Sequence, residues 1–507
     1  MTSTDHAAVV ETHAAVLFFI GDRAYKLKKP VDLGFLDFRR RSDREAVCHR
    51  EVELNRRMAP DVYLGVADVR GPDDELCDHL VVMRRMPAAR RLSTLIRSGT
   101  PVAEDVRHIA RMLAAFHVTA RRGPDVSAQG TRDALLGRWD ATFTQLRPLH
   151  GGVLDAGAAA EIEERTHEFL AGRAPLFAAR VTGGHIVDGH ADLITDDIFC
   201  LDDGPRILDC LEFDDRLRWV DVLDDAAFLA MDIEHLGATR LARAFLDWYA
   251  EFSADPAPAT LRHHYIAYRA FVRAKVGCLR HDQGDPAAAT DVTTYTDLTL
   301  RQLRAGTVRL VIVGGTPATG KTTLSGKLAD HLGAVLLSSD RLRKELAGLD
   351  PQTSAATAYQ QGIYTPRWTD HTYAELLHRA HELLERGENV VLDASWTRAK
   401  HRDAARSLAT TTHSDLLELC CTASAGTIAA RLSRRTPGTS DADQLIATAL
   451  STETDPWPEA TMIVTDRHPD TSGRQTLAAL GIDSDQWVQP TAVAEPTAAS
   501  PGRAGSR

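Results

Sequence analysis

The most restrictive feature of this chain is the octapeptide Gly315-Thr316-Pro317-Ala318-Thr319-Gly320-Lys321-Thr322, which fits the pattern G-x-x-x-x-G-K-[ST]. It directly follows the apolar run Leu310 to Val313 and opens the helical stretch Thr322 to Leu332, so it joins a strand to a helix. In that context the glycines let successive backbone N–H groups converge at a helix N-terminus, which makes a cradle for phosphate oxygens. Lys321 then reaches the terminal phosphates and the Thr322 hydroxyl is placed to ligate Mg²⁺. Gly315 to Thr323 is therefore the candidate nucleotide-binding run, with ATP and Mg²⁺ as the implied cofactors.

From Val308 onward the pattern is strand, loop, helix, repeated. Buried-strand runs at Val308 to Val313, Ala334 to Leu337, Asn389 to Leu392, Leu416 to Cys421 and Met462 to Thr465 predict a parallel sheet. Ligands of such sheets sit at the carboxyl ends of the strands. Asp340, just past the second strand, is placed to accept a proton from a substrate hydroxyl, and Arg343, one helical turn on, to hold an anionic group. The plainer reading is that Ser339 or Asp340 caps a helix. Asp393 ends the third strand and suits Mg²⁺ held through water, or else a turn. Arg431, Arg434 and Arg435 precede Thr436-Pro437-Gly438, and serve either as a lid bringing guanidinium groups to a phosphoryl group or as a solvated basic face.

These residues, in this order, resemble the P-loop kinase group that includes polynucleotide 5′-kinases, zeta toxins and gluconate-type kinases, over roughly residues 308 to 480. The resemblance implies an α/β P-loop NTPase fold. In polynucleotide kinases the residue matching Asp340 is the base and the one matching Arg343 binds a substrate phosphate.

Composition matters to the first half. Of 59 basic residues only eight are Lys, so Lys is not this chain's default solvated cation. Three of the eight, Lys26, Lys28 and Lys29, cluster after the turn Gly21-Asp22, and a strand-turn-strand over Phe18 to Leu27 places Lys26 and Lys28 on one face. Glu51 or Glu53 in the following helix is spaced to pair with one of them. Downstream, His190-Ala191-Asp192 with Asp197 at +5, then Ile207-Leu208-Asp209, has the spacing of a kinase catalytic loop and its metal carboxylate. Asp192 is the candidate base, while Asp197 and Asp209 are candidate Mg²⁺ ligands. The alternative is an acidic, solvated hairpin.

With Arg50-Glu51-Val52-Glu53, Leu208-Asp209-Cys210-Leu211-Glu212 and Tyr268 to Lys275, this half resembles the aminoglycoside phosphotransferase-like kinases over roughly residues 10 to 280. The whole chain is similar to bacterial fusions of such a domain with a P-loop ATP-binding domain. It departs from the family in three places: Ala191 stands where Gly is usual, Asp197 where Asn is usual, and no Gly-rich loop precedes Lys26. The extra carboxylate raises the pKa of its neighbours when metal is absent.

The expected architecture is two domains: an α+β protein-kinase-like fold over residues 1–300, an α/β P-loop fold with a parallel sheet over 306–485, and a Pro/Ala/Ser-rich disordered tail over 489–507. His281 to Thr294 reads as a loop, Asp297 to Leu303 as a short helix, and Ala305-Gly306 as the linker. A length of 507 residues and a net charge of −11 favour a multidomain protein that does not coat nucleic acid or anionic membrane. With no signal-like segment and seven scattered Cys, the expectation is a cytoplasmic enzyme acting on small-molecule or nucleotide hydroxyls, with reduced thiols. The competing expectation is an inactive N-terminal pseudokinase regulating an active P-loop half.

Overall fold

The apolar run Ala15–Ile20 pairs with Arg23–Lys28 across the turn Gly21-Asp22, which makes the hairpin on which the first sheet is built. A computed structural model describes residues 8–12, 14–32, 37–350, 361–434, 454–466 and 469–479. The chain divides into two compact units, Met1–Val308 with Glu385–Glu388, and Arg309–Leu384 with Asn389–Arg507. The expected tail at 489–507 lies outside the described residues.

In the first unit, β1 (Ala8–Glu11), β2 (Ala15–Ile20), β3 (Arg23–Lys28), β4 (Tyr63–Arg70) and β5 (Leu76–Arg84) form an antiparallel sheet in the order β1-β2-β3-β5-β4. Helix α1 (Arg41–Asn55) lies between β3 and β4 in sequence and packs Cys48 and Val52 against Ala24, Val62, Val81 and Met83. Helix α2 (Ala103–Thr119) begins the helical part, into which the short strands β6 (Ile186–Asp188), β7 (Ile198–Leu201), β8 (Gly204–Ile207) and β9 (Trp219–Asp221) are set. Two pairs result, β6 with β9 and the hairpin β7-β8. Helix α3 (Val222–His235) is buried from Val222 to Glu234. This is an α+β arrangement, with the segment from His190 to Thr195 held against α3.

One expectation fails here. The segment read as a loop, His281 to Thr294, is mostly helix: α4 (Ala259–Asp282) runs into it and α5 (Ala288–Ala305) starts inside it. The true break is confined to Gln283-Gly284-Asp285-Pro286-Ala287, where Gly284 takes a φ of 95°. Residues Ala288, Val292, Tyr295, Thr299 and Leu303 recur at helical intervals and are buried. Packing along α4 overrides the weak helix propensity of a Thr-rich sequence.

In the second unit, β10 (Arg309–Gly314), β11 (Val335–Ser338), β12 (Val390–Asp393), β13 (Asp415–Thr422) and β14 (Thr461–Val464) are all parallel, in the order β11-β12-β10-β13-β14. Helix α6 (Lys321–Leu332) follows β10, α7 (Ser339–Leu346) follows β11, and α8 (Ala425–Ser433) follows β13. Val311, Val313, Val391, Leu419, Cys421 and Ile463 from the sheet meet Leu324 and Leu328 of α6 in one core. The register aligns Val313 with Asp393 and Ser338 with Asp393, so three strands end at one level. The P-loop, Asp340 and Asp393 share that edge for this reason. No helix among the described residues is long and apolar enough to cross a membrane.

Candidate active sites

Backbone geometry shapes the loop after β10. The N–H of Gly315 donates to the carbonyl of Ser395 at 3.2 Å, and the N–H and hydroxyl of Thr319 donate to the carbonyl of Thr316. Ala318 and Gly320 both take positive φ, 65° and 88°. Gly320 is also crowded: a Cβ there would lie 3.3 Å from Nη1 of Arg431. Arg431, on α8, donates to the carbonyl of Ala318 at 3.1 Å and to that of Thr465 at 2.6 Å. It is thus neither a solvated basic face nor a detached lid, because its guanidinium clasps the loop itself. Thr465, which carried no signal in the sequence, donates its hydroxyl to the carbonyl of Thr319 at 2.5 Å. Arg434 ends exposed, and Arg435 lies outside the described residues.

Lys321 and Thr322 open α6. The Thr322 hydroxyl donates to Oδ2 of Asp393 at 2.8 Å, while Oδ1 of Asp393, itself buried, has no hydrogen-bond partner among the described residues. Burial raises the pKa of Asp393, opposed by Lys321 and by the Thr322 hydrogen bond. A buried carboxylate oxygen without a donor, beside a hydroxyl, suits a hard cation. These two residues therefore fit Mg²⁺.

Asp340 stands in the first turn of α7; Ser338 occupies the cap position, so the capping reading does not hold. Asp340 lies close enough to influence the ionisation of both Asp393 and Arg343. Arg343 is buried, which lowers its pKa, and Nη1 donates to the carbonyl of Ile363 at 2.8 Å and to the Thr369 hydroxyl at 3.2 Å. Its Nε has no partner. Lys344, the next residue, is wholly buried.

In the first unit the two candidate lysines converge on one carboxylate. Lys26 Nζ lies 3.0 Å from Glu51 Oε1 and 2.5 Å from Asp209 Oδ1; Lys28 Nζ lies 2.6 Å from Glu51 Oε2 and also pairs with Glu212. Glu51 is fully buried, whereas Glu53 is exposed and pairs with Arg50. The ambiguity between them is settled by burial. Asp209 has a φ of 62°, its N–H donates to the Tyr63 hydroxyl at 3.1 Å, and the next N–H, of Cys210, donates to Asn55 Oδ1 at 2.8 Å.

Three acids of α3 hold the segment that carries the candidate base Asp192. Asp225 accepts from the N–H groups of His190 and Ala191 at 2.7 and 2.8 Å, and Asp232 accepts from the N–H and hydroxyl of Thr195. Asp224 binds Arg269, whose Nη1 reaches the carbonyl of Ala191 at 3.4 Å. Asp225 is held in turn by His117 Nε2 at 3.0 Å, and His117 Nδ1 meets the Tyr249 hydroxyl at 2.8 Å. Despite burial, these donors keep the Asp225 carboxyl far below its ordinary range. A Cβ on Gly189 would come within 2.5 Å of Asp225, so the carboxylate's approach depends on that glycine. His117, Tyr249 and Asp232 were not legible beforehand; only their tertiary convergence marks them.

Burial and the charge of Asp209 raise the Asp192 pKa to about 7, and burial with Asp209 and Asp192 raises that of Asp197 well above its usual value. Against its own burial, Lys26 holds Asp209 below the usual range. Asp197 stands where the related kinases have Asn, and the neighbouring Asp209 and Asp192 oppose its ionisation. Asp197 and Asp209 offer oxygen ligands suited to Mg²⁺.

The AAA domain family matches residues 310–454. Uncharacterized proteins of Mycobacterium tuberculosis and Mycobacterium bovis are each 44% identical over 449 residues, covering 89% of this chain and 90% of theirs. Among solved structures, a choline/ethanolamine kinase family protein from Mesorhizobium loti is 15% identical with a TM-score of 0.38, covering 60% of this chain and 92% of that one. A sugar kinase from Janibacter sp. HTCC2649 is 18% identical with a TM-score of 0.29, covering 36% of this chain and 99% of that one.

Proposed function

Because the chain belongs to the same family as those mycobacterial proteins, and joins an aminoglycoside phosphotransferase-like unit to a P-loop kinase unit, we propose that it is a two-site ATP-dependent phosphotransferase. Each site moves the γ-phosphoryl group of ATP to a hydroxyl, of a small sugar-like molecule or of a nucleotide or polynucleotide end. The observation that carries the reading is a parallel one: each unit separately gathers a phosphate-reaching lysine and a metal-ligating carboxylate, Lys26 with Asp209 and Lys321 with Asp393.

In the first unit Asp192 accepts the proton of the acceptor hydroxyl, whose oxygen bonds to the γ-phosphorus as the bond to the ADP oxygen breaks. Lys26, held by Glu51, steadies the nucleotide phosphates, and Asp225 keeps the backbone before Asp192 in place. In the second unit Asp340 takes the proton, Lys321 binds the transferred group and Arg431 fixes the loop that cradles it. Asp197 with Asp209, and Thr322 with Asp393, would hold Mg²⁺, which when bound neutralises phosphate charge.

The pseudokinase reading of the first unit rests on Asp197 in place of Asn and on the missing Gly-rich loop before Lys26. The intact cluster of Lys26, Glu51 and Asp209 supports an active unit. The net charge and ATP dependence support a cytoplasmic protein without a membrane or stable nucleic-acid partner. ADP release and product formation measured with Lys321→Ala and Asp192→Asn separately test the proposal. Each should remove one activity; if neither lowers turnover of any accepted substrate, the reading falls.

A further inference from the structure

The charges around Asp192 differ by origin. Asp209 and Glu212, from the segment after β8, oppose its ionisation; Arg273 and Arg269, from α4, favour it. The two arginines stand one turn apart on the same face of α4. Arg269 is committed to structure. Its Nε and Nη2 bind Asp224 at 2.7 and 2.9 Å, Nη1 reaches the carbonyl of Ala191, and the Phe228 ring covers it at 4.9 Å. Since Ala191 immediately precedes Asp192, this face of α4 walls the catalytic segment, and Arg273 continues that wall.

Arg273 is not neutralised in the same way. Its guanidinium lies 6.0 Å from the centroid of the Tyr295 ring. The nearby Asp232 already accepts two hydrogen bonds from Thr195. Nε of Arg273 is buried without a partner, and among the described residues no carboxylate lies within ion-pair distance of it. A half-buried guanidinium one turn along α4 from the arginine that reaches Ala191, with a donor to spare, attracts an anion and repels a cation.

We propose that Arg273 reads a carboxylate or phosphate on the acceptor, so that the first unit phosphorylates a hydroxyl of an anionic small molecule, a hydroxy acid or sugar phosphate, and rejects amino alcohols. This rests on the phosphotransferase reading of that unit. The bond changes are those already given: the acceptor hydroxyl loses its proton to Asp192 and gains the phosphoryl group, and ADP leaves.

The test uses the full chain carrying Lys321→Ala, which silences the second unit. Calorimetry in the presence of Mg-ADP, and mass detection of phosphorylated product with Mg-ATP, compare matched trios: gluconate, sorbitol and glucosamine; glycerate, glycerol and ethanolamine. The anionic member is expected to bind about tenfold or more tightly than its neutral counterpart, with the cation weakest. Arg273→Gln should erase that preference, Arg273→Lys should keep most of it, and the KM for ATP should stay the same. The inference is overturned if no anionic member binds more tightly than its counterparts, or if Arg273→Gln weakens every member alike or acts on ATP instead. The charge comparison in the unsubstituted Arg273 protein needs no variant to fold. Arg273-dependent anion binding without any transfer would uphold the recognition by Arg273 and defeat the phosphotransferase reading, and with it the phosphorylation of that anion. Transfer without charge preference would do the reverse.

Discussion

Thr322 donates its hydroxyl to one oxygen of Asp393 at 2.8 Å, and the other oxygen of Asp393 is buried with no hydrogen-bond partner among the described residues. A carboxylate left in that state is poised for a cation. Asp393→Asn keeps the hydrogen bond to Thr322 but removes the charge. Stability without metal should then hold or rise by up to about 1 kcal/mol, because an unsatisfied buried anion is lost. The apparent Mg²⁺ affinity of the second unit should fall by about tenfold or more. Thermal unfolding, and turnover in an Asp192→Asn chain titrated with Mg²⁺, read the two effects separately.

Gly320 meets two demands, a φ of 88° and close approach of Arg431. Gly320→Ala should cost about 1–3 kcal/mol locally and push Arg431 off the loop. ATP binding by the second unit, followed by calorimetry, should weaken while ATP binding by the first unit is unchanged.

Glu51 is fully buried between two ammonium groups, whereas Glu53 is exposed. Glu51→Ala should destabilise the first unit by about 3–5 kcal/mol, since it removes one of the two carboxylates that compensate each of the buried Lys26 and Lys28. Glu53→Ala should stay within about 0.5 kcal/mol. Denaturant unfolding curves of the two variants give the comparison.

The Asp192 carboxyl, raised to about 7 by burial and by Asp209, is protonated below that pH and cannot then accept a hydroxyl proton. Turnover by the first unit, measured in the Lys321→Ala chain, should rise as pH climbs through about 7. The folded chain without metal binds this proton more tightly than the unfolded chain, whose Asp has an ordinary pKa near 4. This group therefore favours folding at acid pH, and that contribution is lost as pH rises from about 4 to about 7. Asp192→Asn should abolish the activity and flatten that part of the stability profile; a flat activity profile in the parent would contradict the assignment.

Ala191 holds a φ of 65° where a glycine would be relaxed. Ala191→Gly should raise stability by a few tenths to about 1 kcal/mol, the relieved backbone strain exceeding the added freedom of the unfolded chain. Thermal unfolding checks the sign.

Much of this was legible in linear order. The P-loop pattern, the five apolar runs and the kinase-like spacing of Asp192, Asp197 and Asp209 are local: each depends on residues within a strand, a turn or a helix of one another, which is what sequence displays. They determined two phosphate-handling units, a parallel sheet in the second, and the placement of Asp340 and Asp393 at strand ends. What only the tertiary structure decided joins residues far apart in the chain. It chose Glu51 over Glu53 by burial, closed α5 over a Thr-rich stretch by packing it on α4, turned Arg431 onto the loop at Ala318, and made Asp225, His117 and Tyr249 the support of the catalytic segment. Those outcomes depend on which side chains lose water together, and desolvation is a property of the packed molecule that no stretch of sequence carries alone.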